Sequence, residues 1–330
     1  MNFIKVTAIL FTLISISPSV IFGFDGEAAA KLRGNIPKLT FQISDDYSDG
    51  ILEYFNYYNL DIKNAEHYFG YYISLNKKIT AHIFSPNDPV GTIVFVHGYL
   101  DHSGLYSGII RYFIEENFNI AIFDQPGHGL SEGIRMDIED FSEYGVVLND
   151  FVNLISGYLD GPYYAVGHST GAAALIEYFN NYENLFELSF MVAPLIHSYM
   201  WNLSRIGIYI ASIFSDSIFR RFGGASSDTE YLDFVKNRDP LQSKTVPFHW
   251  GYALHSWNEK ITAYTYNPAE IVVLQGLADT VVDFKYNRSF LQDRFRSIEF
   301  ITFADAKHSH LNEKPEIQQS VFNTILEKIQ

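Results

Sequence analysis

The 330-residue chain contains no cysteine. Disulfide bonds, thiolate nucleophiles and cysteine-ligated zinc are therefore excluded, and export to an oxidising compartment would proceed without covalent cross-links. Basic residues are also few, with 23 Lys and Arg against 38 Asp and Glu and a formal net charge of -15. This balance argues against any general attraction to nucleic acid or to anionic lipid surfaces. Internal repeats, low-complexity tracts and the zinc motif H-E-x-x-H are also absent.

The first 24 residues read as a targeting segment. Lys5 supplies a positive charge and residues 6–16 are mostly apolar, which is the pattern of a secretory signal. Residues 1–24 are therefore predicted to be a signal peptide, or a retained membrane anchor, because residues 6–24 reach bilayer length. A folded N-terminal element is the third interpretation. The predicted location is export to the periplasm or the medium, either free or held by an uncleaved anchor. No later stretch reaches spanning length.

The order of predicted elements favours an α/β fold. Residues 65–74 and 79–85 read as a β-hairpin around Asn76. Short apolar strands then alternate with amphipathic helices, which implies a mostly parallel central sheet with helices on both faces. The predicted elements after the hairpin are strand 92–96, a helix from 106, strand 120–123, helix 141–159, strands 163–166, 188–192, 271–274 and 298–303, and a final helix 315–329.

The alternation is interrupted after residue 192. The interruption contains two helical patterns, 199–214 and 231–235, so it is predicted to be a helical cap inserted over the sheet rather than a loop. The predicted organisation is an N-terminal extension with the first strands (25–78), a first part of the core (79–194), the cap (195–260) and a second part of the core (261–330).

Gly167-His168-Ser169-Thr170-Gly171 lies between an apolar strand and an apolar helix. In this setting the G-x-S-x-G pattern predicts a nucleophile elbow, which presents the serine hydroxyl at the N-terminus of the helix. The flanking glycines leave room for a tight turn and for close approach of helix and strand. Ser169 is therefore the candidate nucleophile.

A serine nucleophile needs a base and an acid that orients the base. Parallel sheets place functional residues at the carboxyl ends of their strands, and two such ends carry Asp279 and His308. Their chain order, Ser then Asp then His, fits the elbow pattern. Asp283 is better explained as the cap of the following helix, and His310 as a histidine close to the last helix. Asp305 also flanks His308.

The developing oxyanion needs two backbone donors. The N–H of Thr170 is one, and the second is predicted to be the N–H of Tyr99, in the loop where Gly98 lets the backbone bend. His97 in the same loop is interpreted as a buried hydrogen-bonding residue. The glycine-rich segment after the next strand is predicted to be a structured turn, with Asp124 and His128 as its internal hydrogen-bonding groups.

Four motifs together resemble a known family. They are the segments 97–106, 124–133 and 167–171, and the pair formed by 276–279 with 306–313. The chain resembles α/β-hydrolases of the monoglyceride lipase and bacterial lysophospholipase group, also called serine aminopeptidase-like hydrolases. This resemblance implies an α/β-hydrolase fold, the nucleophile, acid and base named above, their backbone donors, and acyl esters of glycerol or lysolipids as substrates.

The predicted function is hydrolysis of lipid-like carboxylic esters through an acyl-enzyme on Ser169, with support from Gly98, Gly167, His168 and Gly171 and without metal or organic cofactor. The predicted partners are a small acyl ester or lipid, and no nucleic acid. Residues 196–214 of the cap carry one charge, Arg205, so they could line an acyl tunnel, rest on a membrane or micelle, or pack on the domain below.

Three alternatives remain open. An aminopeptidase with the same three residues would need an acidic group to hold a free amine, and Asp216, Asp228 and Glu230 of the cap could provide it. A non-catalytic homologue would keep the hydrolase shell to bind a ligand without turnover. A metallohydrolase would have to assemble its ligands from dispersed residues. These ligands would be His97, Asp101, His102, His308 and His310.

Overall fold

The computed structural model describes residues 24–42 and 47–330. Of the predicted signal or anchor segment, only Phe24 belongs to these ranges, and it is buried against the rings of Tyr54 and Tyr58. The rest of that prediction lies outside the described residues. Every helix within the described ranges falls short of the length and apolar character that crossing a membrane requires.

The core is an eight-stranded sheet in the order β1-β2-β4-β3-β5-β6-β9-β10. Strands β1 and β2 pair antiparallel, as do β2 and β4, whereas all other neighbours are parallel. The predicted mostly parallel sheet is confirmed. The core strands are β1 Ala65–Ser74, β2 Lys77–Pro86, β3 Gly91–Val96, β4 Phe118–Phe123, β5 Tyr163–His168, β6 Leu188–Val192, β9 Asn267–Gly276 and β10 Phe295–Phe303.

The predicted hairpin is confirmed as β1 and β2. Its two-residue loop is Leu75 and Asn76, both with positive φ (50° and 55°), which is the backbone of the tight turns that match the strand twist. The predicted domain boundary after residue 78 falls inside β2, and the N-terminal part of the chain thus contributes two strands to the sheet.

Helices cover both faces of the sheet, as predicted. In β3, Val94 and Val96 join the hydrophobic cluster on one face, whereas Ile93 and Phe95 join the cluster on the other, because side chains alternate along a strand. The α-helices are α1 Gly26–Gly34, α2 Asp49–Tyr57, α3 Ser107–Glu115, α4 Ser142–Ile155, α5 Thr170–Asn181, α6 Trp201–Ala211, α7 Thr229–Asp233, α8 Phe248–Ile261, α9 Phe284–Arg294 and α10 Pro315–Ile329.

The inserted segment between β6 and β9 contains more than helices. Besides α6, α7, a π-helical turn Phe234–Arg238 and α8, it forms a two-stranded antiparallel ribbon of β7 Ser217–Phe219 and β8 Thr245–Pro247. Sequence patterns missed this ribbon because three residues are too few for a period-2 alternation to stand out. Helix α6 ends at Ala211, three residues before the predicted helix ends, and α8 runs one residue past the predicted end of the cap.

Candidate active site

Ser169 lies at the junction of β5 and α5 in a strained backbone conformation, with φ 52° and ψ -109°. Such a conformation costs a non-glycine residue about 1–3 kcal/mol and persists only where the surroundings hold it. The Ser169 N–H donates to the carbonyl of Val192 at 2.9 Å, and the Ser169 carbonyl accepts from Leu195 N at 3.2 Å and Ala172 N at 3.0 Å. These bonds hold the predicted elbow in place.

The two glycines of the elbow allow helix and strands to approach closely. A Cβ on Gly171 would lie 2.0 Å from the carbonyl oxygen of Val96, and a Cβ on Gly167 would lie 2.7 Å from the Gly171 carbonyl oxygen and from Leu175 Cδ1. Both distances are far below van der Waals contact. A side chain at either position would therefore push the helix and the strands apart.

Ser169, His308 and Asp279 form one hydrogen-bonded chain. His308 Nε2 lies 3.0 Å from Ser169 Oγ, and His308 Nδ1 lies 2.9 Å from Asp279 Oδ2. Because an ionised carboxylate only accepts, Nδ1 carries the proton and Nε2 is left to accept from the serine hydroxyl. The structure thus brings together all three residues that the sequence selects, in the order that proton transfer from serine to histidine requires.

Asp279 is held as an anion. Burial alone would raise its pKa, but His308, the N–H of Val281 at 2.7 Å and Gln275 Nε2 at 3.1 Å lower that pKa to about 2. Its carboxylate group is therefore charged at neutral pH and fixes the ring orientation of His308.

The rival residues lie outside this hydrogen-bonded chain. Asp283 accepts from the N–H of Tyr286 as the N-cap of α9, as predicted, and Asp305 is exposed. His310 is buried in a short 3-10 helix, and neither ring nitrogen has a hydrogen-bond partner in the described part of the chain. Burial lowers its pKa to about 3, so the ring is neutral.

The predicted oxyanion donors lie beside the nucleophile. Tyr99 and Ser169 line the same cavity, Thr170 is the first residue of α5, and neither Tyr99 N nor Thr170 N donates a hydrogen bond within residues 24–42 and 47–330. Backbone N–H groups without a partner in the described residues, at the cavity that the serine also lines, suit a developing negative charge. Gly98 is required here, since a Cβ would lie 2.8 Å from His168 Nδ1.

His168 belongs to a buried network beneath the site that sequence reasoning described only as support. Its Nε2 donates to the carbonyl of His308 at 3.1 Å, and its Nδ1 lies 3.4 Å from Asp101 Oδ2. Asp101 also accepts from the hydroxyl of Tyr106 at 2.6 Å. The network therefore connects the oxyanion loop, residues 97–103, to the backbone of His308. Asp101 and Tyr106 both belong to the first motif, residues 97–106, and this motif was the sequence signal from which the network could have been found.

The network predicts a loss of stability in acid. Burial would raise the Asp101 pKa, but His168 and Tyr106 lower it to about 2. Its contribution is complete above the unfolded pKa near 4 and is lost as pH falls towards 2. We expect Asp101→Asn to lower the free energy of unfolding at pH 7 by about 2 kcal/mol and to flatten its decline between pH 4 and 2. Denaturant unfolding at several pH values measures both, and an unchanged pH dependence would contradict the role.

The turn after β4 has the supporting role that was predicted. Asp124 Oδ1 accepts from Ser103 N at 2.7 Å, and Oδ2 accepts from Leu130 N at 2.7 Å. His97 is buried, with Nδ1 2.8 Å from the Gly98 carbonyl and Nε2 accepting from Gln125 N at 2.9 Å. These bonds fix the loop that carries Tyr99.

A cavity of about 690 Å³ opens above Ser169 and His308, between the sheet and the cap. The cap contributes most of its apolar wall. These wall residues include Ile208, Ala211, Phe222, Tyr231, Leu232, Val235, Val246, Phe248, Trp250 and Leu254. Within the described residues, no group of three or more His, Asp or Glu side chains is arranged to hold a metal ion.

Three features together define an α/β-hydrolase. They are a strained serine directly after β5, an acid and a histidine that follow strand ends, and a cap over a mostly parallel sheet. A family model described as serine aminopeptidase, S33 (Hydrolase_4) matches residues 87–315, and the chain belongs to that family. The family that the four motifs predict is thereby confirmed.

Relatives and solved structures agree with this assignment. The chain is 26% identical to human monoglyceride lipase over 255 residues. This match covers 72% of the chain and 82% of the human protein. It is 27% identical over 131 residues to the monoacylglycerol lipase of Mycolicibacterium smegmatis, covering 37% of this chain and less than half (44%) of that relative. A soluble variant of Saccharomyces cerevisiae monoglyceride lipase in complex with a substrate analog has the same fold, with TM-score 0.67, 18% identity and coverage of 79% and 94%.

Proposed function

We propose that the protein is a serine hydrolase that cleaves carboxylic esters of single-chain lipids, a monoacylglycerol or a lysophospholipid. The hydrogen-bonded chain Ser169–His308–Asp279 at the floor of an apolar cavity carries this proposal. The names of the relatives, which are lipases of monoacylglycerols, support the same substrate class.

The geometry performs ester cleavage in two steps. Ser169 Oγ attacks the ester carbonyl while His308 Nε2 takes its proton, and the N–H groups of Tyr99 and Thr170 bind the oxyanion. Asp279 stabilises the histidine in its positive form. His308 then returns the proton to the leaving alcohol. Water, activated by the same histidine, releases the acid from Ser169.

The cavity suits one acyl chain better than a polar substrate. Its volume lies within the range of small-ligand sites, and its cap wall is mostly apolar. An extended acyl chain can bury its methylene groups there at about 0.8 kcal/mol each.

A substrate panel with a covalent probe tests the proposal. Purified protein is offered a monoacylglycerol, a lysophospholipid, a short soluble ester and an aminoacyl amide, and is separately labelled with a fluorophosphonate. We expect turnover of the single-chain lipids and one label, located on Ser169 by peptide mass. Labelling without turnover of any acyl substrate would favour a non-catalytic ligand-binding homologue, and cleavage of the amide alone would refute the ester assignment.

The acids proposed for an aminopeptidase do not reach the cavity. Asp216 and Glu230 are exposed, and Asp228 caps α7 by accepting from Glu230 N at 2.8 Å. The carboxylate that does line the cavity, Asp101, is already held by Tyr106 and His168. Among the described residues, a free amine would therefore lack an unengaged acidic partner in the cavity, and this supports the ester hydrolase over the aminopeptidase.

The cap helix α6 has two different apolar faces. Its inner face, at positions i, i+3, i+4 and i+7, lines the cavity with Ser204, Gly207, Ile208 and Ala211. Its outer face is more than half exposed at Leu203, Ile206 and Ile210, and Ile213 and Phe214, just after the end of the helix, are also exposed. A contiguous apolar surface beside a lipid-sized cavity favours contact with a membrane or micelle, which we propose as the way substrate enters.

Replacing Phe214, which is 84% exposed, tests this contact. We expect Phe214→Asp to weaken binding to phosphatidylcholine vesicles at least about tenfold, because one apolar anchor is lost and a charge is placed at the interface. Hydrolysis of a short soluble ester should stay within twofold of the native rate. Vesicle co-sedimentation measures the binding.

The matched control for the vesicle experiment is Ile73→Asp, on the exposed side of β1 in the core sheet rather than in the cap. This change should leave vesicle binding unaltered. An equal loss of binding in both variants would show that the effect comes from charge alone and not from the cap surface.

A further inference from the structure

The charged groups in the cavity do not match the composition of the chain. Although acidic residues outnumber basic ones 38 to 23, the cavity is lined by two arginines, Arg220 and Arg221, and by one carboxylate, Asp101. Two cations in a mostly apolar cavity indicate that its ligand carries a negative group in addition to an acyl chain.

Arg220 is the better positioned of the two arginines. It follows β7, and its N–H donates to the carbonyl of Lys244 at 2.9 Å, so the ribbon fixes its backbone. Its guanidinium donates from Nη1 to Gln242 Oε1 and lies 4.6 Å from the centre of the Phe222 ring. The side chain is half-buried and held in one orientation, whereas Arg221 is exposed.

The guanidinium of Arg220 has no ion-pair partner among the described residues. Within the described residues, no Asp or Glu oxygen lies at ion-pair distance from Arg220. The acids whose fields act on it are Asp101 and Asp239, and both are engaged elsewhere. Asp239 accepts from Tyr58 at 2.5 Å and lies 2.9 Å from His102 Nε2. A guanidinium has five N–H donors, and in the described part of the chain that of Arg220 donates to Gln242 alone, so most of these donors are available to a ligand.

The neighbouring amide holds the guanidinium through a neutral acceptor. Gln242 Oε1 accepts from Arg220 Nη1, and Gln242 is not among the residues that line the cavity. The amide therefore orients the cation without neutralising its charge, which stays available to an anionic group.

The location of Arg220 relates it to both the reaction and the lipid surface. It shares the cavity with Ser169, and it lies close enough to Tyr99, the proposed oxyanion donor, that each side chain affects the pKa of the other. It follows Phe219, which also lines the cavity and is 82% exposed. The cation therefore lies next to an open side of the cavity that the nucleophile also lines.

We propose that Arg220 binds the phosphodiester of a lysophospholipid and so determines the substrate class of this site. This inference rests on the proposed ester hydrolase function and extends it. With the ester carbonyl at Ser169 and the acyl chain in the apolar part of the cavity, the glycerol phosphate extends towards the guanidinium, which pairs with phosphate oxygens through its planar fork. A monoacylglycerol has no group that uses this cation.

The kinetic test compares a lysophosphatidylglycerol and a monoacylglycerol with the same short acyl chain, both below their micellar concentrations. We expect Arg220→Gln to lower kcat/KM on the lysophospholipid about 10-fold to 100-fold, through KM, and to change kcat/KM on the monoacylglycerol less than twofold. Arg288→Gln, an exposed arginine of α9 outside the cavity and the matched control, should change neither. Arg220→Lys should restore part of the loss, because it keeps the charge without the fork.

Three kinetic outcomes would overturn the proposal. Equal losses on both substrates would show that Arg220 positions the oxyanion loop. Unchanged kinetics on both would show that it contacts neither substrate. If Arg220→Gln reduced inhibition by the free fatty acid but left lysophospholipid turnover unaffected, Arg220 would be assigned to binding the carboxylate of the product.

A binding measurement separates this proposal from the proposed function. An ether analogue of the lysophospholipid, which has the phosphodiester but no cleavable ester, is titrated into the native protein and into Arg220→Gln by calorimetry. Weaker binding to the variant supports the phosphate site even if no ester were hydrolysed. Equal binding overturns it even if esters are hydrolysed.

Discussion

Ser169→Ala should lower kcat for ester hydrolysis by at least about 10⁴-fold, the scale on which removal of the nucleophile acts in serine hydrolases. The side chain loses only its hydroxyl, and the backbone bonds of Ser169 to Val192 and Leu195 remain. We therefore expect the free energy of unfolding to change by less than about 1 kcal/mol. Initial rates on a soluble ester, together with denaturant unfolding, measure both quantities.

A second serine provides the control for this substitution. Ser156 is exposed just after the end of α4, and among the described residues its hydroxyl bonds only to the carbonyl of Asn153, so Ser156→Ala should retain full activity. Residual activity of Ser169→Ala above a tenth of the native rate would contradict its assignment as nucleophile. We also expect Ser169→Ala to lose fluorophosphonate labelling and Ser156→Ala to keep it.

Asp279→Asn should lower kcat about 10⁴-fold while keeping the side-chain shape. The N–H groups of Val281 and Val282 donate to Oδ1, so the amide oxygen of the asparagine takes that position and its NH₂ replaces Oδ2. A donor then faces His308 Nδ1, which must accept. The ring proton moves to Nε2, and the histidine can no longer accept from Ser169 Oγ.

Asp283→Asn is the matched control, four residues further along the chain. Asp283 caps α9 through its side-chain oxygen, and asparagine caps helices about as well as aspartate. Activity and stability should both stay close to native. A comparable loss of kcat in the two variants would contradict the choice of Asp279 as the acid, and a native rate in Asp279→Asn would refute the tautomer argument. Burst kinetics of ester cleavage locate the loss in the step that forms the acyl-enzyme.

The sheet was predictable because its signals are local. Strand alternation, the turn at Asn76 and the start of α10 at Pro315 depend on neighbouring residues, and each appears where the pattern indicates. The ribbon of β7 and β8 was not predictable. Its two strands are three residues each and are paired across the whole of α7 and the π-helical turn, so no local period reveals them.

The selection of Ser169, Asp279 and His308 followed from chain order and from the rule that strand ends meet at one edge of a parallel sheet. The buried pair of His102 and Asp239, 137 residues apart, carried no such rule. Neither residue is placed by a rule of strand ends and chain order. They are in contact only because the cap folds back onto the oxyanion loop.

The sequence by itself determined the class of the protein, its elbow with Ser169, and the two residues that complete the hydrogen-bonded chain, since turn geometry, helix starts and strand-end placement follow from nearby residues and from topology. Only the tertiary structure decided how the cap divides its apolar residues between cavity and surface, and that Arg220 lines the cavity without an ion-pair partner in the described residues. These properties depend on which distant segments come into contact. A sequence pattern predicts which face of a helix is apolar, but it does not predict which segment packs against that face.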